Sequence, residues 1–102
     1  MMKLLIITAV KSYEKQALQL FKEAGILAFS HADINGFKAM NEENLIDNWF
    51  SNAAENIKSV LFFTFTEEKK IDSLLEELNQ VNKNIKSDNP LKAIVLAIEK
   101  HQ

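Results

Sequence analysis

Imidazole and carboxylate chemistry meet at one place in this sequence. His31 and Asp33 are separated by a single residue. On an extended strand that spacing puts both side chains on one face, about 7 Å apart. An imidazole and a carboxylate so placed can share a divalent cation, with Glu42, Glu43 and Asp47 available to complete the site; the other reading is an ordinary, partly exposed strand histidine. The second histidine, His101, makes no i, i+4 pair of the kind helical metal sites use. The chain has no cysteine, which removes thiol nucleophiles, disulfides, zinc-thiolate sites and iron-sulfur clusters together. Ser12, Ser30 and Ser51 are scattered without a histidine placed to activate them, since His31, next to Ser30, falls on the opposite face of an extended strand. Gly-x-Ser-x-Gly, Walker A and dinucleotide fingerprints are all missing. A non-catalytic protein is expected.

A second set of residues suits contact better than catalysis. Between Lys38 and Asn56 lies a connection far longer than a hairpin needs, and long insertions tend to be functional or disordered. Within it Leu45, Ile46, Trp49 and Phe50 recur at i, i+1, i+4 and i+5, which gathers them on one side of a short helix. Such a turn either plugs into the core or a subunit cleft, or docks in the groove of a partner.

These residues must be positioned by 102 residues that are 47% hydrophobic with a formal net charge of -2. That predicts one domain over 1–102. All 12 basic residues are lysines, so no guanidinium fork exists for bidentate grip on phosphate or carboxylate. Without a dense basic face, no nucleic-acid partner is expected. The apolar run Leu4 to Val10, flanked by Lys3 and Lys11, reads as a buried strand rather than a signal peptide. It falls well short of the roughly 20 residues that cross a bilayer. A soluble, cytoplasmic protein that does not insert into membranes is expected.

Periodicity orders the rest. Lys3 to Val10 suits a strand. Ser12 is placed to cap a helix with Ala17, Leu18, Phe21 and Ala24 on its buried stripe and Gly25 as its stop. Leu27 to Phe37 reads as a second strand, with Leu27, Phe29, His31 and Asp33 on one face and a bend at Gly36. Ile57 to Thr66 is a third strand. Thr66 is placed to cap a second helix, with Glu67 and Glu68 in its first turn and Ile71, Leu74, Leu75, Leu78 and Val81 on its buried stripe. After the turn Ser87-Asp88-Asn89-Pro90, Ala93 to Ile98 forms the last strand. The order β-α-β-β-α-β predicts an α+β, ferredoxin-like domain: a four-stranded antiparallel sheet with two helices on one face. Three strands are nonetheless apolar on both faces, and two helices cannot cover both. The uncovered face is expected to pack on copies of the same chain; the alternative is that the Lys38 to Asn56 connection folds back over it.

The run Glu23-Ala24-Gly25-Ile26, followed by Asp33-Ile34-Asn35-Gly36-Phe37-Lys38, resembles the nitrogen regulatory PII-like family. In that family the first helix ends in a short Gly turn, and the second strand ends in a Gly-Phe step where the long T-loop leaves the sheet. The order of elements and the place of the long connection agree over essentially the whole chain. The resemblance implies a ferredoxin-like homotrimer with sheets facing across a central core, and a signalling role without catalysis. It implies a small ligand or cation in an intersubunit cleft near Gly36, Phe37 and Lys38, with charge from Lys86 and Lys92. It also implies a partner protein, for example a membrane transporter, met through the long loop and its Leu45, Ile46, Trp49 and Phe50. Small members of such families are associated with heavy-metal handling, which adds weight to His31 and Asp33 as ligands.

Two departures bear on the ligand. The segment Asn84 to Lys92, where the family has a Gly-rich phosphate loop, contains no glycine, so it lacks the positions of positive φ from which backbone N-H groups cradle a phosphate. The only tyrosine, Tyr13, stands outside the long loop, where the nitrogen regulators carry a modified one. The residues leave the ligand's identity, and any cofactor, open. The same order of elements also serves small dimeric α/β-barrel enzymes that work without cofactors; in that alternative His31 and Trp49 are the residues to watch, and trimer against dimer separates the two.

Overall fold

The computed structural model describes residues 2–38, 55–85 and 89–102, excepting the side chains of residues 37, 38, 55 and 56. Its elements are β1 (Met2–Val10), a 3-10 turn (Lys11–Tyr13), α1 (Glu14–Glu23), β2 (Ser30–Lys38), β3 (Glu55–Glu67), α2 (Glu68–Asn84) and β4 (Lys92–Ala97). The four strands form one sheet in the order β2-β3-β1-β4, and every neighbouring pair is antiparallel. This is the α+β, ferredoxin-like arrangement the sequence pattern predicts. Among the described residues no helix is long and apolar enough to cross a membrane.

Alternation along the strands builds the core. Leu5, Ile7 and Ala9 of β1 stand opposite Thr64, Phe62 and Val60 of β3, and all six side chains are buried. Ala17, Leu20 and Phe21 of α1 and Ile71, Leu74 and Leu78 of α2 join them in a single cluster, so both helices cover the same face. Phe21, Phe29 and Phe62 fasten α1 to the β2-β3 side, with ring centroids 4.6 Å apart for Phe21–Phe29 and 5.5 Å for Phe21–Phe62. Stacked and tilted pairs of this kind add about 0.5–1.5 kcal/mol beyond the area they bury.

Several boundaries differ from the expectations, each for a physical reason. Ser12 does not cap α1: it lies inside the 3-10 turn, and the N-cap is Tyr13, with no side-chain cap bond. Leu18 is exposed and Leu20 is buried in its place, because a helical face running from Ala17 continues at i+3 and i+4. Gly25 does end the helix, at φ 74°, a conformation glycine takes without strain. The backbone runs outside the strand until Ser30; just before it, the Thr64 hydroxyl donates to the carbonyl of Ala28 at 2.7 Å, where a side chain stands in for a ladder bond. Thr66 remains a buried strand residue, and the N-cap of α2 is Glu67. Gly36 lies in the ladder opposite Ile57 rather than at a bend. β2 continues to Lys38, paired with Glu55, so the connection between the strands is residues 39–54, narrower than Lys38 to Asn56.

Candidate functional site

The sheet face away from the helices is the first feature of note. Met2, Leu4 and Ile6 of β1, Leu61, Phe63 and Phe65 of β3, and Ile94 and Leu96 of β4 share it by register. Met2, Phe63, Phe65, Ile94 and Leu96 are exposed, and among the described residues nothing covers them. Towards the end where β1 finishes and β4 starts, the same face changes character. Thr8 is opposite Leu61 on one side and Lys92 on the other, Ser59 is opposite Val10 and Ile34, and Ile57 is opposite Gly36.

There the strands border a cleft of about 380 Å³ lined by Thr8, Ile34, Gly36, Ser59, Pro90 and Lys92 among others. Among the described residues its lining contains one ammonium, that of Lys92, and no carboxylate. Lys92 has no ion-pair partner among the described residues. Gly36 keeps the floor low: a Cβ there would sit 3.4 Å from the carbonyl oxygen of Ile57 and 3.5 Å from Ser59 Oγ. The Ser59 hydroxyl donates to that same carbonyl at 3.2 Å. A cavity whose described lining has hydroxyls, one unpaired cation and no anion suits a small ligand carrying negative charge.

Of the residues marked as ligand-binding from the sequence, Gly36 and Lys92 both line this cleft, from the opposite edge strands β2 and β4. Phe37 and Lys38 continue β2 directly beyond Gly36, opposite Asn56 and Glu55. Lys86 lies outside the described residues, as do Leu45, Ile46, Trp49 and Phe50. Thr8 and Ser59 were not singled out; Thr8 is the one polar residue in the apolar run of β1, and that alternation was the available signal.

His31 and Asp33 do share a face of β2, the helix-side one, opposite Phe62 and Val60. Both are exposed. The His31 ring lies 5.7 Å from that of Phe62. The Asp33 carboxylate accepts a bond from Lys11 Nζ at 2.6 Å, and Lys11 also donates to Glu14 at 2.5 Å. The hydrogen bond from Lys11, aided by its charge, lowers the Asp33 pKa; the two carboxylates, Asp33 before Glu14, raise that of Lys11. Among the described residues no group of three or more His, Cys, Asp or Glu side chains is placed to hold a metal ion.

The fold matches solved structures over nearly all of the chain. The chain matches the B. subtilis GlnK–ATP complex with a TM-score of 0.67 at 14% identity, over 96% of this chain and 83% of that one. The fold is that of the PII-like proteins. CPII, a nitrogen regulatory PII-like protein from Thiomonas intermedia K12 bound to ADP, AMP and bicarbonate, matches with a TM-score of 0.63 at 12% identity, over 99% of this chain and 96% of that one. Arabidopsis thaliana PII bound to citrate matches with a TM-score of 0.66 at 12% identity, covering 95% and 77%. No family model and no curated protein matches by sequence.

Proposed function

We propose that the chain is a PII-like regulatory protein without catalytic activity, which assembles as a homotrimer through its open sheet faces and takes a small anionic ligand into the cleft of Gly36 and Lys92. Residues 39–54, with Leu45, Ile46, Trp49 and Phe50, then form the contact to a partner protein, with a membrane transporter as the candidate class. The observation that carries this reading is the lining of the cleft, which among the described residues offers one unpaired ammonium and no carboxylate. The molecules bound in the structural neighbours, adenine nucleotides, bicarbonate and citrate, are all anions. Gly36 in the cleft and the start of residues 39–54 lie at the same end of β2, two residues apart, so ligand in the cleft bears on the segment that leaves the strand there. The mechanism is a population shift, and it requires that the ligand bind one arrangement of that segment more tightly than another.

Isothermal titration of the protein with ATP, ADP, AMP, citrate and bicarbonate tests the reading. At least one should bind in the micromolar range. Lys92→Ala should weaken it by about ten- to a hundredfold, as expected when one charge-assisted bond is lost. Absence of binding by all five to the wild type refutes the anionic-ligand reading.

A further inference from the structure

Lys92 opens β4, and what fixes its position is not the strand itself. The β1–β4 ladder ends at the pair Thr8–Lys92, so Leu91 stands one step past it. Backbone groups in a half-buried position need partners, and Leu91 finds both in one side chain of α2. Asn82 Nδ2 donates to the Leu91 carbonyl at 2.9 Å, and the Leu91 N-H donates to Asn82 Oδ1 at 2.9 Å. One amide thereby does for Leu91 what a neighbouring strand does for a ladder residue. The Leu91 side chain is buried in the core, which holds the same point from the other side.

We propose that Asn82 is the positioning residue for the basic side of the cleft. This rests on the reading of that cleft as the ligand site. Side chains on a strand alternate with a period of two, so a slip of β4 by one residue would send Lys92 to the helix face and Leu91 to the open one. The Asn82 amide disfavours such a slip: Pro90 has no N-H to offer in place of that of Leu91, and a slip the other way would put the Lys92 side chain where Leu91 is buried. Pro90 and Lys92, the neighbours of Leu91, both line the cleft. Asn82 reaches no lining atom itself and acts through the backbone of Leu91. It also makes the C-terminal turn of α2 part of the support of the cleft, so a ligand drawing on Lys92 pulls against a helix rather than a free loop.

The test combines hydrogen exchange with a double-mutant cycle on the full chain. In Asn82→Ala the Leu91 amide should exchange about tenfold faster or more, while the amide of Ile7 in the centre of β1 keeps its protection. Asn82→Asp, which keeps the acceptor for the Leu91 N-H but faces its carbonyl with a carboxylate, should give an intermediate result and guards against a variant that fails to fold. Titrated with ATP and with citrate, Asn82→Ala should lose about as much affinity as Lys92→Ala, and the double variant no more than Lys92→Ala alone. Unchanged Leu91 exchange, or losses that add in the double variant, overturns the assignment. If the wild type binds none of the five anions, the cleft reading fails on its own terms, and the Leu91 exchange rate alone decides the role of Asn82.

Discussion

Replacing Ile94 by Asp separates folding of the subunit from assembly. Ile94 sits on edge strand β4 opposite Ile6, on the face turned away from the helices, and keeps 52% of its surface exposed. Its companions on that face are in the same condition: Met2 52%, Phe63 38%, Phe65 54% and Leu96 46% exposed. Full burial of such a side chain is worth about 1.5–3 kcal/mol, so covering the exposed half of each yields about 1 kcal/mol, and about 5 kcal/mol per copy for the five. An aspartate forgoes its share and must also be stripped of water, which costs several kcal/mol per ion after relaxation. The association constant should therefore fall by about a hundredfold or more. The isolated subunit has little to lose, since strand preferences on a half-exposed position span only about 1 kcal/mol. Sedimentation velocity at micromolar concentration should show an assembled wild type and a monomeric Ile94→Asp, with matching far-ultraviolet circular dichroism. A monomeric wild type, or an Ile94→Asp protein that sediments as the wild type does, would refute the reasoning.

Other perturbations address the core, the ion pairs and the long connection. Leu74, fully buried between α2 and the sheet, should cost about 2–5 kcal/mol when cut to Ala, read as a lower urea midpoint at unchanged slope. The Lys11–Asp33 bond lowers the Asp33 pKa, so its contribution is present above the ordinary carboxyl value of 3.8 and is lost as pH falls through the lowered one. From the lysine side it is complete below 10.5 and lost as pH rises through the raised value. A carbon-13 titration of Asp33 should show a midpoint below 3.8 that moves up in Lys11→Met. Replacing Trp49 and Phe50 together by Ala should abolish partner capture and leave the sedimentation of the assembly unchanged; loss of the assembly would assign these aromatics a structural role instead.

The fold was legible where periodicity is long and unambiguous. The α2 stripe of Ile71, Leu74 and Leu78 and the doubly apolar strands carry their own spacing, and from them follows the open face. Caps were less legible. Ser12 and Thr66 have the right chemistry, but a 3-10 turn and an extended β3 put them one step from the role. Leu18 and Leu20 lie in one apolar stretch, and only the phase set by Ala17 and Phe21 separates them. In the site, Gly36 and Lys92 are far apart in sequence and stand on the two edge strands, β2 and β4, lining one cleft from opposite edges of the sheet. The Asn82 anchor was not legible at all, since a bidentate amide leaves no pattern in a polar helix end.

The pairing of Lys38 with Glu55 at the head of the β2-β3 ladder has an evolutionary consequence. The two ends of residues 39–54 are held one strand spacing apart by hydrogen bonds that do not depend on what lies between them. Doubling the length of such an excursion adds only about 0.6 kcal/mol of closure entropy. Insertions, deletions and wholesale exchange of residues 39–54 should therefore leave the sheet folded. Residues 39–54 can diverge at a pace the scaffold does not share, and if they meet a partner as proposed, one four-stranded sheet has the means to acquire new ones.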